Sequence, residues 1–253
     1  MGSMTISDIK DKLDNVPISY LQNELDQLKI DERLGVKKLI KRYEKKILDY
    51  EKEVDRLIQM RFYENKYPNK EYICGVDEVG RGPLSGPVVS AAVILPKDVN
   101  ILYINDSKKL SEKKREELYD IIMEKAIAVS VGIVNVDVID DINILNATYE
   151  SMISAINKLE VKPDIVLVDA VTIPRINIPQ EAIIKGDAKS ISIAAASIIA
   201  KVYRDRLMKD YDELFPHYKF AKNKGYGTKE HIEALGKYGP CPIHRKTFIK
   251  SLI

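Results

Sequence analysis

Residues 163–170, PDIVLVDA, form an almost continuously apolar run that ends in an aspartate and an alanine. A strand with one face in solvent alternates polar and apolar side chains, whereas an unbroken apolar run is typical of a strand covered on both faces. Sheets of that kind carry helices on both sides. The run therefore favours a fold of the α/β class.

Segments around this run alternate between strand patterns and helix patterns. Further strands are predicted at residues 72–76, 86–95, 127–136 and 181–185. Helices are predicted at residues 111–126 and 143–159, and over about two dozen residues from Ser190. Only a short glycine-rich stretch separates the first two strands, so they are expected to be antiparallel. The pattern predicts a mixed central sheet flanked by helices over residues 71–253.

Residues 1–70 show helical spacing and no strand alternation. Between Val36 and Leu57, apolar residues recur at steps of three and four, which predicts a long amphipathic helix. Its apolar face has three candidate partners: another helix of this region, the main domain or a separate protein. We therefore expect a helical N-terminal extension over residues 1–70. Residues 1–3 precede a second methionine and are interpreted as a cloning remnant.

The cysteine count and the hydropathy exclude several classes of protein. Cys74 and Cys241 are the only cysteines, and they lack the spacing of a zinc site or a disulfide framework. The sequence has no run of about 18 apolar residues, and its N-terminus lacks the layout of a signal peptide. A soluble protein of the reducing cytoplasm, with no membrane contact, is expected.

The net charge of +2 conceals an uneven distribution. Residues 215–253 hold eight lysine and arginine residues against two glutamates, an excess of +6. A second basic group, at residues 108–115, begins with Lys108 and Lys109. A nucleic acid would bind such regions, because neutralised phosphates release counterions. Lysines that only solvate exposed helices are the alternative.

Four acidic residues occupy comparable places, each after a predicted strand or before the long helix: Asp77, Glu78, Asp169 and Asp187. Ligands of open α/β sheets collect beyond the carboxyl ends of parallel strands, so these carboxylates are expected to meet there. They would repel one another unless a cation neutralises them, and all-oxygen ligands suit Mg²⁺ or Mn²⁺. Two such ions about 4 Å apart could activate water and stabilise both oxygens of a phosphoryl displacement.

Local geometry adds two expectations about these acids. Adjacent strand residues point to opposite faces, so Asp77 and Glu78 can share a site only if the strand ends or bulges there. Gly80 and Gly82 could provide such a break. Asp187, close to the N-terminus of a helix, is expected to be kept ionised by the helix dipole as well as by metal.

Six motifs follow one another along the chain: GVDEVGRGPLSGPVV, NDSKKLS, LVDA, KGDAKSISIAAASIIAKVYRD, NKGYGTKEH and GPCPIHRKTF. One such motif alone would be weak evidence for a family, but six in the same order are specific evidence. Over residues 72–250 the chain closely resembles the ribonuclease HII family, the type 2 ribonucleases H.

The resemblance implies a ribonuclease H-like catalytic domain over residues 71–253, with a helical, basic C-terminal part. It implies a metal-dependent endoribonuclease that uses Mn²⁺ or Mg²⁺ in a two-metal mechanism. Such an enzyme hydrolyses the RNA strand of RNA/DNA hybrids and cuts on the 5′ side of single ribonucleotides embedded in duplex DNA. It leaves a 3′-hydroxyl and a 5′-phosphate. The expected state is a monomer, and a protein partner for the N-terminal helix stays open.

The resemblance also implies a role for each matching residue. The catalytic, metal-binding acids are Asp77, Glu78, Asp169 and Asp187. The glycine-arginine-glycine element, Gly80, Arg81 and Gly82, contacts the 2′-hydroxyl and adjoining phosphate of the ribonucleotide, largely through backbone groups. Tyr226 matches the tyrosine that stacks on the sugar of the next deoxynucleotide. Lys108 and Lys109 lie in a motif expected to hold phosphate.

Small departures from the family pattern leave these residues intact. Ala170 stands where glycine is usual, and Ser85, Tyr203 and Cys241 are less common choices at their positions. Two alternatives remain. A type 3-like ribonuclease H fits less well, because those enzymes lack the glycine-arginine-glycine element. A non-catalytic nucleic-acid-binding module is disfavoured by four acids that would repel phosphate.

Overall fold

A computed structural model describes residues 4–252, so the three residues interpreted as a cloning remnant lie outside the described part. The chain divides into two compact units, one up to Ile58 and the other from Gln59 onward. The boundary at residue 70, which the change in sequence pattern indicates, stays a prediction.

The first unit is helical. It contains α1 (Ile6–Asn15), α2 (Ile18–Leu28) and most of α3 (Leu34–Met60). The predicted long amphipathic helix is confirmed, and the first half of its apolar face packs on α1 and α2. The core of the unit consists of Ile9, Leu13, Leu21, Leu25, Val36, Leu39, Ile40 and Tyr43.

The second unit contains a five-stranded mixed sheet. After the short helix α4 (Phe62–Asn65), the strands are β1 (Ile73–Val79), β2 (Val88–Ile94), β3 (Ala128–Val134), β4 (Ile165–Asp169) and β5 (Gln180–Ile183). Their order is β3-β2-β1-β4-β5. β1 pairs with β2 antiparallel, as predicted, and with β4 parallel.

Helices cover both faces of this sheet. They are α6 (Val136–Asn157) on one face and α7 (Ile191–Leu214) on the other. The remaining helices of this unit are α5 (Glu112–Lys125), α8 (Phe220–Asn223), α9 (Lys229–Tyr238) and α10 (Lys246–Ile249), of which α5 and α8 pack on α7. Helix α7 begins next to Ser190, as the spacing predicts, and Ser190 caps it, since its side chain accepts a hydrogen bond from the Ile193 amide. Short 3₁₀ turns occur at Ser107–Lys109, Gly186–Ala188 and Pro216–Tyr218.

Alternate residues of β1 face different helices. Cys74 and Val76 belong to a core that includes Met152 of α6, whereas Ile73 packs with Ile193 of α7. Gly75 lets α7 approach closely, because a β-carbon there would lie 2.1 Å from the Ser192 backbone. This alternation decides which face each acid at the end of β1 occupies.

Helix α6 begins earlier than the sequence predicts. It starts at Val136 rather than residue 143, and Asn143 interrupts it with a φ of 66°. The Asn143 side chain accepts hydrogen bonds from the amides of Leu145 and Asn146, as an N-cap does. The predicted start thus coincides with an internal cap. Within residues 4–252, no helix is long and apolar enough to cross a membrane.

Candidate active site

Two of the predicted acids lie on neighbouring strands. The last residues paired between β1 and β4 are Val76 and Val168, and Asp77 and Asp169 come directly after them. Because Ile73 and Ile165 share the core on the α7 side, alternation puts both aspartates on that same face. The sheet therefore brings Asp77 and Asp169 together, as the strand ends predicted.

Asp77 is buried against α7, with 4% of its surface exposed. Burial, followed by the negative charges of Glu78 and Asp169, raises the pKa of Asp77 well above its ordinary value. A hydrogen bond with the Ser197 side chain and one from the Glu78 amide, at 2.8 Å, oppose that rise. A positive charge beside this carboxyl group would favour its ionised form.

Glu78 points to the opposite face of β1. The strand neither ends nor bulges at this position, since Asp77, Glu78 and Val79 remain in register with β2. The expected break is absent from the pairing with β2, but pairing with β4 ends at Val76 and β1 itself ends at Val79, before Gly80 with its φ of 93°. Burial raises the pKa of Glu78, while Arg81, whose Nη1 lies 3.3 Å from Oε1, lowers it.

Asp187 lies in the 3₁₀ turn before α7 and is 6% exposed. The turn is linked to Asp169, because the Gly186 amide donates to Asp169 Oδ1 at 2.7 Å. Burial, then the charges of Asp106 and Asp169, raise the pKa of Asp187. The expectation that the helix dipole and a metal together keep this group ionised stays a prediction, and a bound cation would oppose the effect of burial and the neighbouring acids.

Lys108 extends toward the acids. Its Nζ lies 3.8 Å from Asp187 Oδ2, and its side chain is 74% exposed. Burial lowers the pKa of Lys108, but Asp77, Asp106 and Asp187 raise it, with a net rise. Lys109, the next residue, is exposed at the surface.

Among the described residues, no three carboxylate, imidazole or thiol groups are already gathered at metal-binding distances. The acidic side chains here are nonetheless all-oxygen donors, and burial, followed by the charges of neighbouring acids, raises the pKa values of Asp77 and Asp187. Hard divalent cations with flexible oxygen coordination suit such a set. The residues therefore fit a divalent metal, which would draw the carboxylates together.

The glycine-arginine-glycine loop leaves β1 beside these acids. Gly80 has a φ of +93°, and a β-carbon there would lie 2.3 Å from Arg204 Nε. Glycine is required at this position both for its backbone conformation and for space. Arg81 and Gly82 are exposed. The Tyr226 ring stands beside Gly82, where a β-carbon would be 3.7 Å from Tyr226 Cε1.

Two fully buried arginines hold this loop from behind. Arg245 donates to the carbonyl oxygens of Gly80, Arg81 and Gly86. Arg204 donates to carbonyl oxygens of Ser85, Pro87 and Lys224. Burial lowers the pKa of Arg204 to about 10 and that of Arg245 to about 9. The carbonyl groups of the loop are thus turned inward, away from the exposed surface.

Sequence reasoning missed both arginines and Asp106. Arg245 was counted with the surface charge of the C-terminal region, but its guanidinium is enclosed and unavailable to phosphate. Composition cannot separate a buried arginine from an exposed one. The only signal was position, because each residue lies inside one of the six motifs.

Comparisons with known proteins agree on one family. The family model for ribonuclease HII matches residues 74–251, and the model for the ribonuclease HII N-terminal domain matches residues 5–68. The ribonuclease HII of Lachnoclostridium phytofermentans is 59% identical over 250 residues, which cover 99% of this chain and 98% of the relative. The ribonuclease HII of Clostridioides difficile is 49% identical over 255 residues, with both chains fully covered.

Solved structures show the same fold. Ribonuclease H2 from Pyrococcus horikoshii OT3 is 29% identical with a TM-score of 0.59, covering 72% of this chain and 96% of that one. Ribonuclease HII from Archaeoglobus fulgidus, solved in complex with PCNA, is also 29% identical with a TM-score of 0.59, covering 69% and 93%.

The fold and the carboxylate cluster, together with these relatives, define a hydrolase of the ribonuclease H class, an endonuclease. The chain belongs to the ribonuclease HII family. Enzymes of this family depend on a divalent metal ion and act on RNA/DNA hybrids.

Proposed function

We propose that this enzyme hydrolyses the RNA strand of RNA/DNA hybrids and also cuts on the 5′ side of single ribonucleotides embedded in duplex DNA. The products are a 3′-hydroxyl and a 5′-phosphate. One observation carries the proposal: the loop that follows Asp77 and Glu78 places Gly82 beside the exposed ring of Tyr226. The loop that would contact the ribose and the Tyr226 ring that would contact the next sugar would then lie beside the carboxylates.

The four acids are the proposed metal ligands: Asp77, Glu78, Asp169 and Asp187. A bound pair of Mg²⁺ or Mn²⁺ ions would supply an activated water and stabilise the attacking and leaving oxygens. Asp77 and Asp169 share one face of the sheet. Glu78 lies close enough to interact with both, because its charge raises the pKa of Asp77 and the charge of Asp169 raises its own pKa. Lys108, close to Asp187, would contribute positive charge toward the phosphate.

Recognition of the ribonucleotide is assigned to Gly80, Arg81 and Gly82. Arg245 binds the carbonyl oxygens of Gly80 and Arg81 on the buried side, so the opposite side of the loop is free to meet the 2′-hydroxyl and phosphate. Tyr226, 47% exposed, would stack on the next deoxyribose. Lys109 would add a phosphate contact beside Lys108.

A non-catalytic nucleic-acid-binding module is disfavoured by the buried acids, which would repel a phosphate in the absence of a metal. We propose that the enzyme works as a monomer in the cytoplasm, where its two free cysteines, Cys74 and Cys241, suit a reducing environment. A protein partner for the N-terminal helix stays a prediction, and the Archaeoglobus relative bound to PCNA gives it a precedent.

A duplex with one ribonucleotide in an otherwise DNA strand tests the proposal. With Mg²⁺ or Mn²⁺, we expect cleavage on the 5′ side of the ribonucleotide. A ligase that requires a 3′-hydroxyl and a 5′-phosphate should be able to reseal the nick. Chelator should stop the reaction, and an all-DNA duplex should stay intact. An uncut ribonucleotide-containing duplex under these conditions would refute the proposal.

Tyr226 is tested separately on the same duplex and on a continuous RNA/DNA hybrid. Tyr226→Phe keeps the ring and should retain the preference for the RNA-to-DNA junction. Tyr226→Ala removes the ring and should reduce that preference by about tenfold, within the range for loss of one stacking contact. If Tyr226→Ala kept the same junction preference as Tyr226→Phe, Tyr226 would have no role in junction recognition.

A further inference from the structure

Behind Tyr226 lie two buried histidines in direct contact. His231, from α9, is 0% exposed, and His244, after the GPCPI segment, is 2% exposed. Their Nε2 atoms are 3.0 Å apart. His231 Nδ1 lies 2.9 Å from the Tyr226 carbonyl oxygen, and His244 Nδ1 lies 3.0 Å from the Cys241 amide. The two rings therefore form a continuous path from Cys241 to Tyr226.

The hydrogen-bond partners at the ends of this path fix where each proton lies. A carbonyl oxygen can only accept, so His231 must carry its proton on Nδ1 and leave Nε2 bare. His244 must then carry its proton on Nε2 to donate to His231. That leaves His244 Nδ1 bare, ready to accept from the Cys241 amide. All three bonds are satisfied only when both histidines are neutral and have opposite tautomers.

The surroundings favour the neutral forms. Burial lowers the pKa of His231, and burial together with His231 lowers the pKa of His244 to about 4. Aromatic rings of Tyr218 and Phe220 pack against both histidines. The titratable neighbours are the Tyr218 phenol and the Cys241 thiol, whose Sγ is 3.1 Å from His244 Nδ1.

Charged groups on the elements around the pair are engaged elsewhere. Arg245, next to His244, donates to Gly80, Arg81 and Gly86. On α9, Glu230 pairs with Lys222 of α8 at 3.0 Å, and Glu233 pairs with Lys229 at 3.8 Å, all at the surface. The exposed His217 ring stacks on Tyr238 with centroids 4.2 Å apart.

We propose that His231 and His244 are positioning residues for Tyr226: the paired tautomers present one N–H donor that holds the Tyr226 carbonyl, and so aim the Tyr226 ring at the RNA-to-DNA junction. The inference rests on the proposed role of Tyr226 in junction recognition. The Tyr226 backbone is also tied by the Asn223 carbonyl and the Thr228 amide, at 2.9 and 2.8 Å. His231 supplies the side-chain restraint that links this turn to the C-terminal segment.

Asparagine and glutamine substitutions separate positioning from simple space filling. An asparagine amide can replace Nδ1 of histidine, whereas a glutamine amide can replace Nε2. His231→Asn keeps the donor to Tyr226, and His231→Gln loses it. At His244 the preference reverses, because glutamine keeps the donor to His231 and asparagine does not. A role based on size alone would favour glutamine at both positions.

The readout is the ratio of kcat/KM for a single-ribonucleotide duplex to kcat/KM for a continuous hybrid of the same sequence. We expect His231→Asn and His244→Gln to stay within about twofold of the wild-type ratio. His231→Gln and His244→Asn should lose about two- to tenfold, the range for one net hydrogen bond. Glutamine better than asparagine at both positions, or no change in any variant, would overturn the inference.

Nitrogen chemical shifts of the wild-type histidines provide a test that does not depend on activity. At pH 7.5 we expect His231 protonated on Nδ1 and His244 on Nε2; any other pair of tautomers would overturn the inference. A wild-type enzyme without junction preference would instead contradict the proposed role of Tyr226. The two failures are thus distinguishable, because only the first alters the tautomers.

Discussion

Arg245 Nη2 donates a hydrogen bond to the carbonyl oxygen of Gly80, although the two residues are 165 positions apart in the chain. The same guanidinium binds the carbonyl oxygens of Arg81 and Gly86. A C-terminal residue therefore determines how the loop after β1 is folded.

Replacing Arg245 should disrupt this loop and the stability of the fold together. Arg245→Met fills similar space but leaves several buried carbonyl groups without donors, each at a cost of about 1–3 kcal/mol. We expect a loss of at least about 3 kcal/mol in the free energy of unfolding and a large loss of cleavage. Arg175→Gln, which removes an exposed pair with Glu150, is the matched control and should change stability by less than about 1 kcal/mol. Denaturant titration compares the free energies of unfolding of the two variants. Equal losses would argue against a structural role for the hydrogen bonds from Arg245 to the loop.

Gly80 and Gly82 should respond differently to the same change. Gly80→Ala puts a methyl group 2.3 Å from Arg204 Nε at a φ of +93°, and should cost about 2–4 kcal/mol of stability. Gly82→Ala meets Tyr226 Cε1 at an ordinary 3.7 Å, so stability should stay within about 0.5 kcal/mol. Cleavage of the single-ribonucleotide duplex should nevertheless fall, because the methyl group narrows the gap to Tyr226. Unchanged cleavage by Gly82→Ala would place the substrate elsewhere.

Ala170 directly follows Asp169 and has a φ of 56°, in the left-handed region that disfavours a β-carbon. Ala170→Gly relieves this strain and should raise the free energy of unfolding by about 0.5–1 kcal/mol. Thermal and denaturant unfolding measure the change. A destabilised variant would indicate that the alanine methyl group makes packing contacts worth more than the strain.

The histidine pair predicts a pH dependence of stability. The pKa of His244 is lowered from 6.5 to about 4 in the folded protein, so the unfolded chain binds more protons between those pH values. The contribution of neutral His244 to the free energy of unfolding is complete above about pH 6.5. It is lost as the pH falls toward 4, by at most about 3 kcal/mol. Unfolding free energies of wild type and His244→Gln should therefore converge on acidification. A constant difference would show that His244 does not titrate as described.

Much of the fold follows from the sequence because its signals are local. The apolar run before Asp169, the spacing after Ser190 and the short link between β1 and β2 each predict a structure that is observed. The positions of Asp77 and Asp169 near strand ends were predictable for the same reason, since a strand end is readable from the chain. What failed was the local geometry of Glu78, because register with β2 depends on residues 86–95 pairing through Val79.

The buried side chains that hold the site residues in place could not be predicted from the sequence. Arg204 donates to the Pro87 carbonyl group 117 residues away and Arg245 to the Gly80 carbonyl group 165 residues away, and a sequence gives no sign of such partners. The pairing of His231 with His244 likewise depends on how α9 and the C-terminal segment pack around Tyr218. Local patterns locate reactive groups, whereas the groups that orient them come from tertiary packing.

The central claim is that the carboxylates at the strand ends act through a divalent metal. Asp169→Asn keeps an oxygen to accept from the Gly186 amide but removes the charge, while Asp210→Asn changes an exposed acid on α7 and serves as the control.

Single-turnover cleavage of a duplex with one ribonucleotide, in Mg²⁺ or Mn²⁺, compares wild type with these two variants, and binding of the uncut duplex is measured alongside. We expect Asp169→Asn to cleave at least about a hundredfold more slowly while it still binds the duplex, and Asp210→Asn to match wild type. Cleavage by Asp169→Asn at the wild-type rate would contradict the proposed metal site.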